Sequence, residues 1–221
     1  MGCSCSEFEG MADRQFTAAK AAKELQAYRR GRLGATTRLL RDAIVQTGMN
    51  HGTLLDIGGG VGALTFELLD RGLTGAVIAD ASAAYVTAAR EEAVRRNRAP
   101  VVKVVHGDIL QLPLVRASVV TLDRVVCCYP SYEPLLEHAV RRAENAVALS
   151  YPHDRWYVRG VTWIENSSRA RKNGFRTFVH PPARMQQIVQ EAGFELATRR
   201  STVVWTIDVF VRCGAFPNRG S

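Results

Sequence analysis

Short apolar runs alternate along this chain with longer segments in which apolar residues recur every three or four positions. Runs of about four to eight apolar residues predict buried strands, and the longer segments predict amphipathic helices of about 10 to 15 residues. The predicted strands are 53–57, 76–79, 101–105, 119–122, 146–150, 195–203 and 204–212. Because apolar strands separated by helices form parallel sheets covered on both faces, the pattern predicts an α/β fold with a doubly wound, mostly parallel seven-stranded sheet.

Two helices are predicted ahead of the first strand, over residues 11–30 and 36–46. Further helices are predicted at 63–70, 82–97 and 133–143, and from Pro182 to about residue 193. Ser82 is placed to cap the second of these, because a serine hydroxyl accepts from the free N–H groups of a helix start. No repeat, low-complexity segment or linker interrupts the pattern, so we expect a single domain over residues 1–221.

The composition narrows the function classes only slightly. The chain has 29 Lys and Arg against 21 Asp and Glu, a net charge of +8, which favours an anionic partner without identifying one. Of these basic residues 25 are Arg and only 4 are Lys, in an Ala-rich chain. GC-rich coding produces this bias without selection on function, so nucleic acid is a possible partner but not a favoured one.

The cellular compartment is predicted from the cysteines and from hydropathy. The chain has five cysteines, and Cys127 and Cys128 are adjacent. An odd number with an adjacent pair fits a reducing compartment better than a disulfide framework. No zinc-site spacing is present, and no run approaches the roughly 18 apolar residues of a membrane span. We therefore expect a cytoplasmic protein without a bound metal or a membrane partner.

The glycine-rich segment after the first strand is the most informative motif. Gly58, Gly60 and Gly62 follow Asp56 in the pattern D-x-G-x-G-x-G, and glycines here let the main chain approach a ligand at the strand ends. With Ala63 the segment also satisfies the G-x-G-x-x-A pattern of nicotinamide dehydrogenases. Asp56 would repel a pyrophosphate, whereas it would favour a ligand with an ammonium and a sulfonium group. The motif therefore favours S-adenosylmethionine.

With this motif the chain resembles the class I S-adenosylmethionine-dependent methyltransferases, from Leu54 to the final strands. The resemblance implies a Rossmann-like sheet with an antiparallel last strand, preceded by two helices. It also implies S-adenosyl-L-methionine as cofactor and S-adenosyl-L-homocysteine as product. Asp80 ends the second strand, and the resemblance implies that it accepts the ribose hydroxyls beside Ala81.

The resemblance implies two further contacts with the cofactor. Asp108 corresponds to the family acid that meets the adenine amino group, with Ile109 against the ring. Asp123 opens the segment that faces the methyl group. Each acid alone is also a common turn or cap residue, but Asp56, Asp80 and Asp108 in register with a glycine turn are difficult to dismiss.

The segment after the fourth strand concerns the acceptor. Adenine methyltransferases of nucleic acids carry Asn/Asp-Pro-Pro-Tyr here, whereas this chain has Tyr-Pro-Ser-Tyr from Tyr129 to Tyr132. The difference favours a small-molecule acceptor, which Tyr129 would orient. Cys127 and Cys128 are compatible with metalloid ligation, although small buried cysteines are the commoner case.

Residues 154–184 form an arginine-rich, aromatic stretch between the fifth strand and the next helix. In related enzymes this region covers the substrate, and such residues suit a flat or apolar molecule with a carboxylate or phosphate. The alternative is a solvated basic helix whose Trp156, Gly160 and Trp163 face packs on the sheet. Segments 80–86, 178–180 and 192–194 are also similar to magnesium-protoporphyrin O-methyltransferases, which would imply methylation of a propionate.

A sulfonium is an activated methyl donor, so the protein must mainly align the acceptor and exclude water. A carboxylate acceptor needs no base, whereas a phenol or alcohol calls for a neutral histidine. His153 and His180 are the candidate proton acceptors.

We therefore expect a methyltransferase that acts on an oxygen of an anionic or aromatic small molecule. The alternatives are an RNA methyltransferase and a non-catalytic cofactor-binding protein. The expected parts are an N-terminal helical cap (1–50), a cofactor-binding core (51–153), a substrate-cover insertion (154–184) and a C-terminal helix with strands (185–221). The expected oligomeric state is a monomer or a homodimer.

Overall fold

The computed structural model describes residues 5–129, 131–172 and 174–214. Its strands are β1 (Gly52–Ile57), β2 (Leu73–Asp80), β3 (Val102–His106), β4 (Ala117–Asp123), β5 (Ala143–Pro152), β6 (Phe194–Ser201) and β7 (Trp205–Arg212). Its α-helices are α1 (Cys5–Gln15), α2 (Ala18–Arg29), α3 (Ala35–Gln46), α4 (Ala63–Leu69), α5 (Ala83–Arg95), α6 (Tyr132–Arg142), α7 (Trp156–Lys172) and α8 (Pro182–Glu191). The ends of the expected cap and C-terminal part, 1–4 and 215–221, lie outside the described residues.

The seven strands form one sheet in the order β3-β2-β1-β4-β5-β7-β6. Strands β1 to β5 pair in parallel, whereas β7 runs antiparallel to both β5 and β6. The chain reverses its direction of winding between β1 and β4, and doubly wound sheets bind ligands beyond the carboxyl ends of the strands at such a point. The predicted α/β class, the sheet and its antiparallel last strand are confirmed.

Helices cover both faces of the sheet, which explains why its strands are apolar throughout. Leu54 and Val119 face a core shared with α2 to α5, whereas their neighbours Leu55 and Val120 face a core shared with α6 and α8. Successive side chains of a strand point to opposite faces, so each strand contributes to both cores. None of the described helices has the length and apolar composition of a membrane span.

The N-terminal helices differ from the prediction. The segment expected to form one helix over 11–30 is interrupted at Phe16 and Thr17, so three helices precede β1. The Phe16 carbonyl accepts a hydrogen bond from Ser82 Oγ at 2.8 Å. Its ring meets the rings of Tyr85 and Phe175 edge to face, at centroid distances of 5.6 and 5.3 Å. These contacts, between residues distant in sequence, favour the break.

Candidate functional site

A cavity of about 340 Å³ lies at the carboxyl ends of β1, β2 and β4. Its walls come from the turn after β1, the ends of β2 and β4, the N-terminal helices and the segment around α7. The predicted site residues that line it are Asp56, Gly58, Gly60, Asp80, Ala81, Ile109, Asp123 and Tyr129. The others, Gly62, Asp108, His153 and His180, are not among its lining residues.

The turn after β1 needs glycine for two reasons. Gly58 has a φ of +63°, and a Cβ there would lie 2.4 Å from Val125 Cγ2. Gly62 has a φ of +80°, and its Cβ would lie 2.7 Å from Phe66 Cε2. Gly58 therefore shapes the cavity wall, whereas Gly62 allows α4 to pack closely behind it.

Asp80 is fixed at the end of β2 by main-chain donors. Its Oδ2 accepts from the Gly60 N–H at 2.9 Å, and its Oδ1 accepts from the Ser82 N–H at 2.8 Å. Burial raises the pKa of Asp80, and the two N–H donors act in the opposite direction. Ser82 is also the predicted cap of α5, because its Oγ accepts from the Tyr85 N–H. The carboxylate thus joins the glycine turn to the start of α5.

Asp56 lies beneath the glycine turn and is buried. Its two oxygens accept from the hydroxyls of Thr121, at 2.6 Å, and Thr65, at 2.7 Å. Burial raises the pKa of Asp56 to about 6, although the two hydroxyl donors lower it. A Cβ on Gly59 would lie 2.7 Å from Asp56 Oδ2. Asp56 therefore supports the turn and gives it negative charge.

Asp123 connects three elements at the cavity wall. Its Oδ2 accepts from Thr37 Oγ1 at 2.6 Å, and its Oδ1 accepts from Ser150 Oγ at 2.5 Å. Thr37, in α3, also lines the cavity. Sequence reasoning missed Thr37, because no local motif marks a contact between residues 86 positions apart.

Asp108 is buried between the lining residues Gly107 and Ile109, and its expected contact with the cofactor stays a prediction. Its Oδ1 accepts from the Tyr129 hydroxyl and from the Leu110 N–H, both at 3.1 Å. Its own N–H donates to Glu9 Oε1 in α1 at 2.9 Å. Burial raises the pKa of Tyr129, and the nearby Asp108 carboxylate raises it further. Asp108 therefore orients Tyr129, which does line the cavity.

Both predicted histidines donate to main-chain carbonyls and are not among the lining residues, and their role as proton acceptors stays a prediction. His153 donates from Nε2 to the Thr202 carbonyl at 2.9 Å, and its Nδ1 lies 2.8 Å from Thr206 Oγ1. His180 donates from Nε2 to the Tyr129 carbonyl at 2.9 Å, and burial lowers its pKa. His153 thus stabilises the strand ends, and His180 positions Tyr129.

The aromatic face of α7 is exposed. Trp156 and Trp163 are 85% and 71% exposed. A Cβ on Gly160, between them, would have no neighbouring atom within 4 Å. This face therefore does not pack on the sheet, and Trp156 and Trp163 are not among the residues that line the cavity.

The opposite side of α7 contributes to the cavity. Arg169 donates to Thr177 Oγ1 and Glu165 Oε2, both at 2.8 Å, and all three residues line the cavity. Asn166 exchanges two hydrogen bonds with the main chain of Thr177, at 2.7 and 2.8 Å. These bonds hold the segment after α7 against the helix.

The N-terminal helices close the cavity from another side. Their lining residues, which sequence reasoning did not single out, are Ala12, Gln15, Phe16 and Glu24. Phe16 lies between Tyr85 of α5 and Phe175 after α7, so it joins the cap to the cover. The local sequence offered one sign of this role, which is that Phe16 is an aromatic residue in an otherwise polar and Ala-rich segment.

The comparisons with known proteins agree with this geometry. Residues 54–148 match the family model described as a methyltransferase domain. No curated protein is significantly similar to the chain in sequence.

Solved structures of methyltransferases share the fold. Magnesium protoporphyrin IX methyltransferase from Synechocystis PCC 6803 with bound S-adenosylhomocysteine is 22% identical over 80% of this chain and 82% of that one, with a TM-score of 0.66. An O-methyltransferase family protein from Burkholderia thailandensis is 18% identical over 89% of this chain and 63% of that one, also with a TM-score of 0.66. The family model and the shared fold confirm the resemblance to the class I methyltransferases.

Proposed function

We propose that the cavity binds S-adenosylmethionine, because residues 54–148 match a methyltransferase domain and the chain has the fold of solved methyltransferases. We propose further that the protein moves the methyl group to an oxygen of a small-molecule acceptor. The observation that carries the proposal is Asp80, whose carboxylate is fixed at the cavity wall between the glycine turn and α5. A carboxylate accepts more than two hydrogen bonds, so Asp80 retains capacity for two ligand hydroxyls.

The lining residues fit this cofactor. Gly58 and Gly60 leave the main chain open beside Asp80, and Ile109 offers an apolar surface for a purine ring. The cavity is negatively charged, and it would favour an ammonium and a sulfonium group. Its carboxylates are those of Glu24, Asp56, Asp80, Asp123 and Glu165. When bound, S-adenosylmethionine supplies an activated methyl group, and the protein contributes alignment and exclusion of water.

An acceptor oxygen that is already ionised at neutral pH fits the site best. Neither His153 nor His180 is among the lining residues, which supports an acceptor that needs no proton removed. Tyr129 is held by Asp108 and by His180, so its ring forms a fixed surface for the acceptor. We therefore propose a carboxylate-bearing, apolar or aromatic metabolite, and magnesium protoporphyrin is one acceptor to test.

We also propose that the chain acts in the cytoplasm as a single domain with the cap, core, cover and C-terminal parts described above. A monomer or a homodimer fits this proposal. A small molecule is a better partner than RNA, because RNA would bring many phosphate charges to a cavity whose lining has more acidic residues than arginines.

The test is transfer of a labelled methyl group from S-adenosylmethionine to an extract of the source organism, separated into small molecules, RNA and protein. We expect label in the small-molecule fraction, and at least about a tenfold loss of label with Asp80→Ala, since hydrogen bonds to a charged group contribute about 1.5–3 kcal/mol. Asp154→Ala, which removes an exposed acid outside the cavity lining, should retain the label. Label in RNA would favour the RNA methyltransferase, and cofactor binding without transfer would favour a non-catalytic protein.

A further inference from the structure

Arg124, directly after β4, has an unusual backbone conformation. Its φ is +61°, and Asn97 is the other non-glycine residue of the described chain with a positive φ. Asn97 follows the end of α5, where asparagine tolerates the left-handed region well. Arginine has no such local advantage, and strained residues of this kind cluster at binding and catalytic sites.

The surrounding residues hold Arg124 in this conformation. Its N–H donates to Ser150 Oγ at 2.8 Å. Its carbonyl oxygen accepts from the thiols of Cys127 and Cys128, at 3.4 and 3.5 Å. Both main-chain polar groups of the residue are therefore bonded, and Arg124 is one of the residues that line the cavity. This arrangement also gives the two cysteines a structural role.

The Arg124 guanidinium is held less tightly than that of Arg169, the other arginine of the cavity lining. Arg169 donates to both Glu165 and Thr177. Among the described residues, the ion pair of Arg124 is a loose one with an Asp123 oxygen at 3.9 Å, and its side chain is 51% exposed.

The positive charge of Arg124 acts across the cavity. Burial raises the pKa of Tyr85, which lines the cavity from α5, and the charge of Arg124 opposes that rise. Arg124 directly follows Asp123, and it belongs to the segment 123–129, which ends at Tyr129. From the sequence we expect this segment to face the methyl group, so a ligand of Arg124 would lie on the acceptor side.

We propose that Arg124 binds a single negative charge on the acceptor and thereby selects carboxylates over neutral molecules. The inference rests on the proposed function, because it assigns the acceptor side of the same cavity. A guanidinium pairs with a carboxylate through two parallel N–H···O bonds. A doubly charged phosphate would suffer greater repulsion from the acidic lining, so the site favours a monoanion.

The test is calorimetric titration of the protein saturated with S-adenosylhomocysteine. The probes are benzoate, 2-naphthoate and hexanoate, each paired with its neutral amide. We expect at least one carboxylate to bind about tenfold more tightly than its amide, as the strength of a charged hydrogen-bonded pair implies. Arg124→Gln should reduce this ratio to within about twofold. Arg155→Gln, an exposed arginine outside the cavity lining, should leave it unchanged.

Arg124→Gly separates a binding role from a structural one. Glycine relieves the strain of a positive φ, so we expect the Tm to rise by about 2–4 °C while the preference for the carboxylate is lost. A purely structural arginine would instead give a lower Tm.

Two failures are distinguishable in these titrations. If S-adenosylhomocysteine binds neither the wild type nor the variants, the proposed function fails. If S-adenosylhomocysteine binds normally, but no carboxylate is preferred or Arg124→Gln keeps the preference, the Arg124 inference alone is overturned.

Discussion

Two walls of the cavity are held together in different ways. The cofactor wall, formed by residues 56–61 and 79–81, joins the strand ends through buried carboxylates bonded to main-chain N–H groups and hydroxyls. The cover, residues 154–184, has internal side-chain bonds from α7 to Thr177, and its outer face is exposed. Among its contacts with the rest of the chain, the Phe175 ring contacts Phe16, and the Phe178 N–H donates to the Cys127 carbonyl. From this difference we expect the cofactor wall to share the stability of the sheet and the cover to be less stable than the sheet.

The largest effect on the free energy of unfolding is expected when a glycine of the cofactor wall is replaced by alanine. Gly58→Ala should lower the free energy of unfolding by about 2–5 kcal/mol, because it combines left-handed strain with overpacking against Val125. Gly174→Ala, in the cover, should cost only about 1–2 kcal/mol, since its φ is +75° but no atom lies within 4 Å of its Cβ. Denaturant unfolding measures both, and equal losses would contradict the distinction.

The buried carboxyl group of Asp56, in the cofactor wall, should make the free energy of unfolding depend on pH. The folded pKa of Asp56 is about 6 against 3.8 for the free side chain, so the folded protein binds more protons between these values. Stability should therefore fall as the pH rises from about 4 to 6, by at most about 3 kcal/mol.

Asp56→Asn should remove this loss, as measured by unfolding at pH 4, 5, 6 and 7. Asp154→Asn in the cover should follow the wild-type curve, because Asp154 is exposed. Parallel curves for the wild type and Asp56→Asn would show that the Asp56 carboxylate is not buried as described.

Detachment of the segment after α7 from that helix should be separable from unfolding. Asn166→Ala removes both bonds to the Thr177 main chain, so exchange of the Thr177 amide hydrogen should accelerate. The free energy of global unfolding should fall by only about 1 kcal/mol. The Gly60 amide, which donates to Asp80, is the internal control and should keep its protection. Equal acceleration at both amides would mean that the two walls open together.

The smallest effect is expected on the outer face of α7. Trp156→Ser and Trp163→Ser should each change the free energy of unfolding by less than about 0.5 kcal/mol, because both rings are exposed. Phe66→Ala, at a fully buried ring, should cost about 3–5 kcal/mol in the same assay. A loss above about 1 kcal/mol from either tryptophan would indicate that another molecule covers this face.

The cofactor wall was largely predictable because its signals are local. Gly58 and Gly60 adopt positive φ values that favour glycine, and Asp80 ends an apolar strand beside them. Their spacing alone places them at the same edge of a parallel sheet. The position of Asp108 was not predictable in the same way, because its hydrogen bond to Tyr129 depends on how two loops pack.

The sequence by itself determined the α/β class, the strand sequence and the glycine and acid motif, because periodicity and backbone conformation act over a few residues. Only the tertiary structure decided that Phe16 interrupts the first predicted helix, that His153 and His180 donate to distant carbonyls, and that Arg124 takes a positive φ at the cavity wall. Each of these depends on a partner distant in the chain, such as Ser82, Thr202 or Ser150. Which distant groups meet depends on the packing of the whole sheet and its helices, and no local pattern encodes that packing.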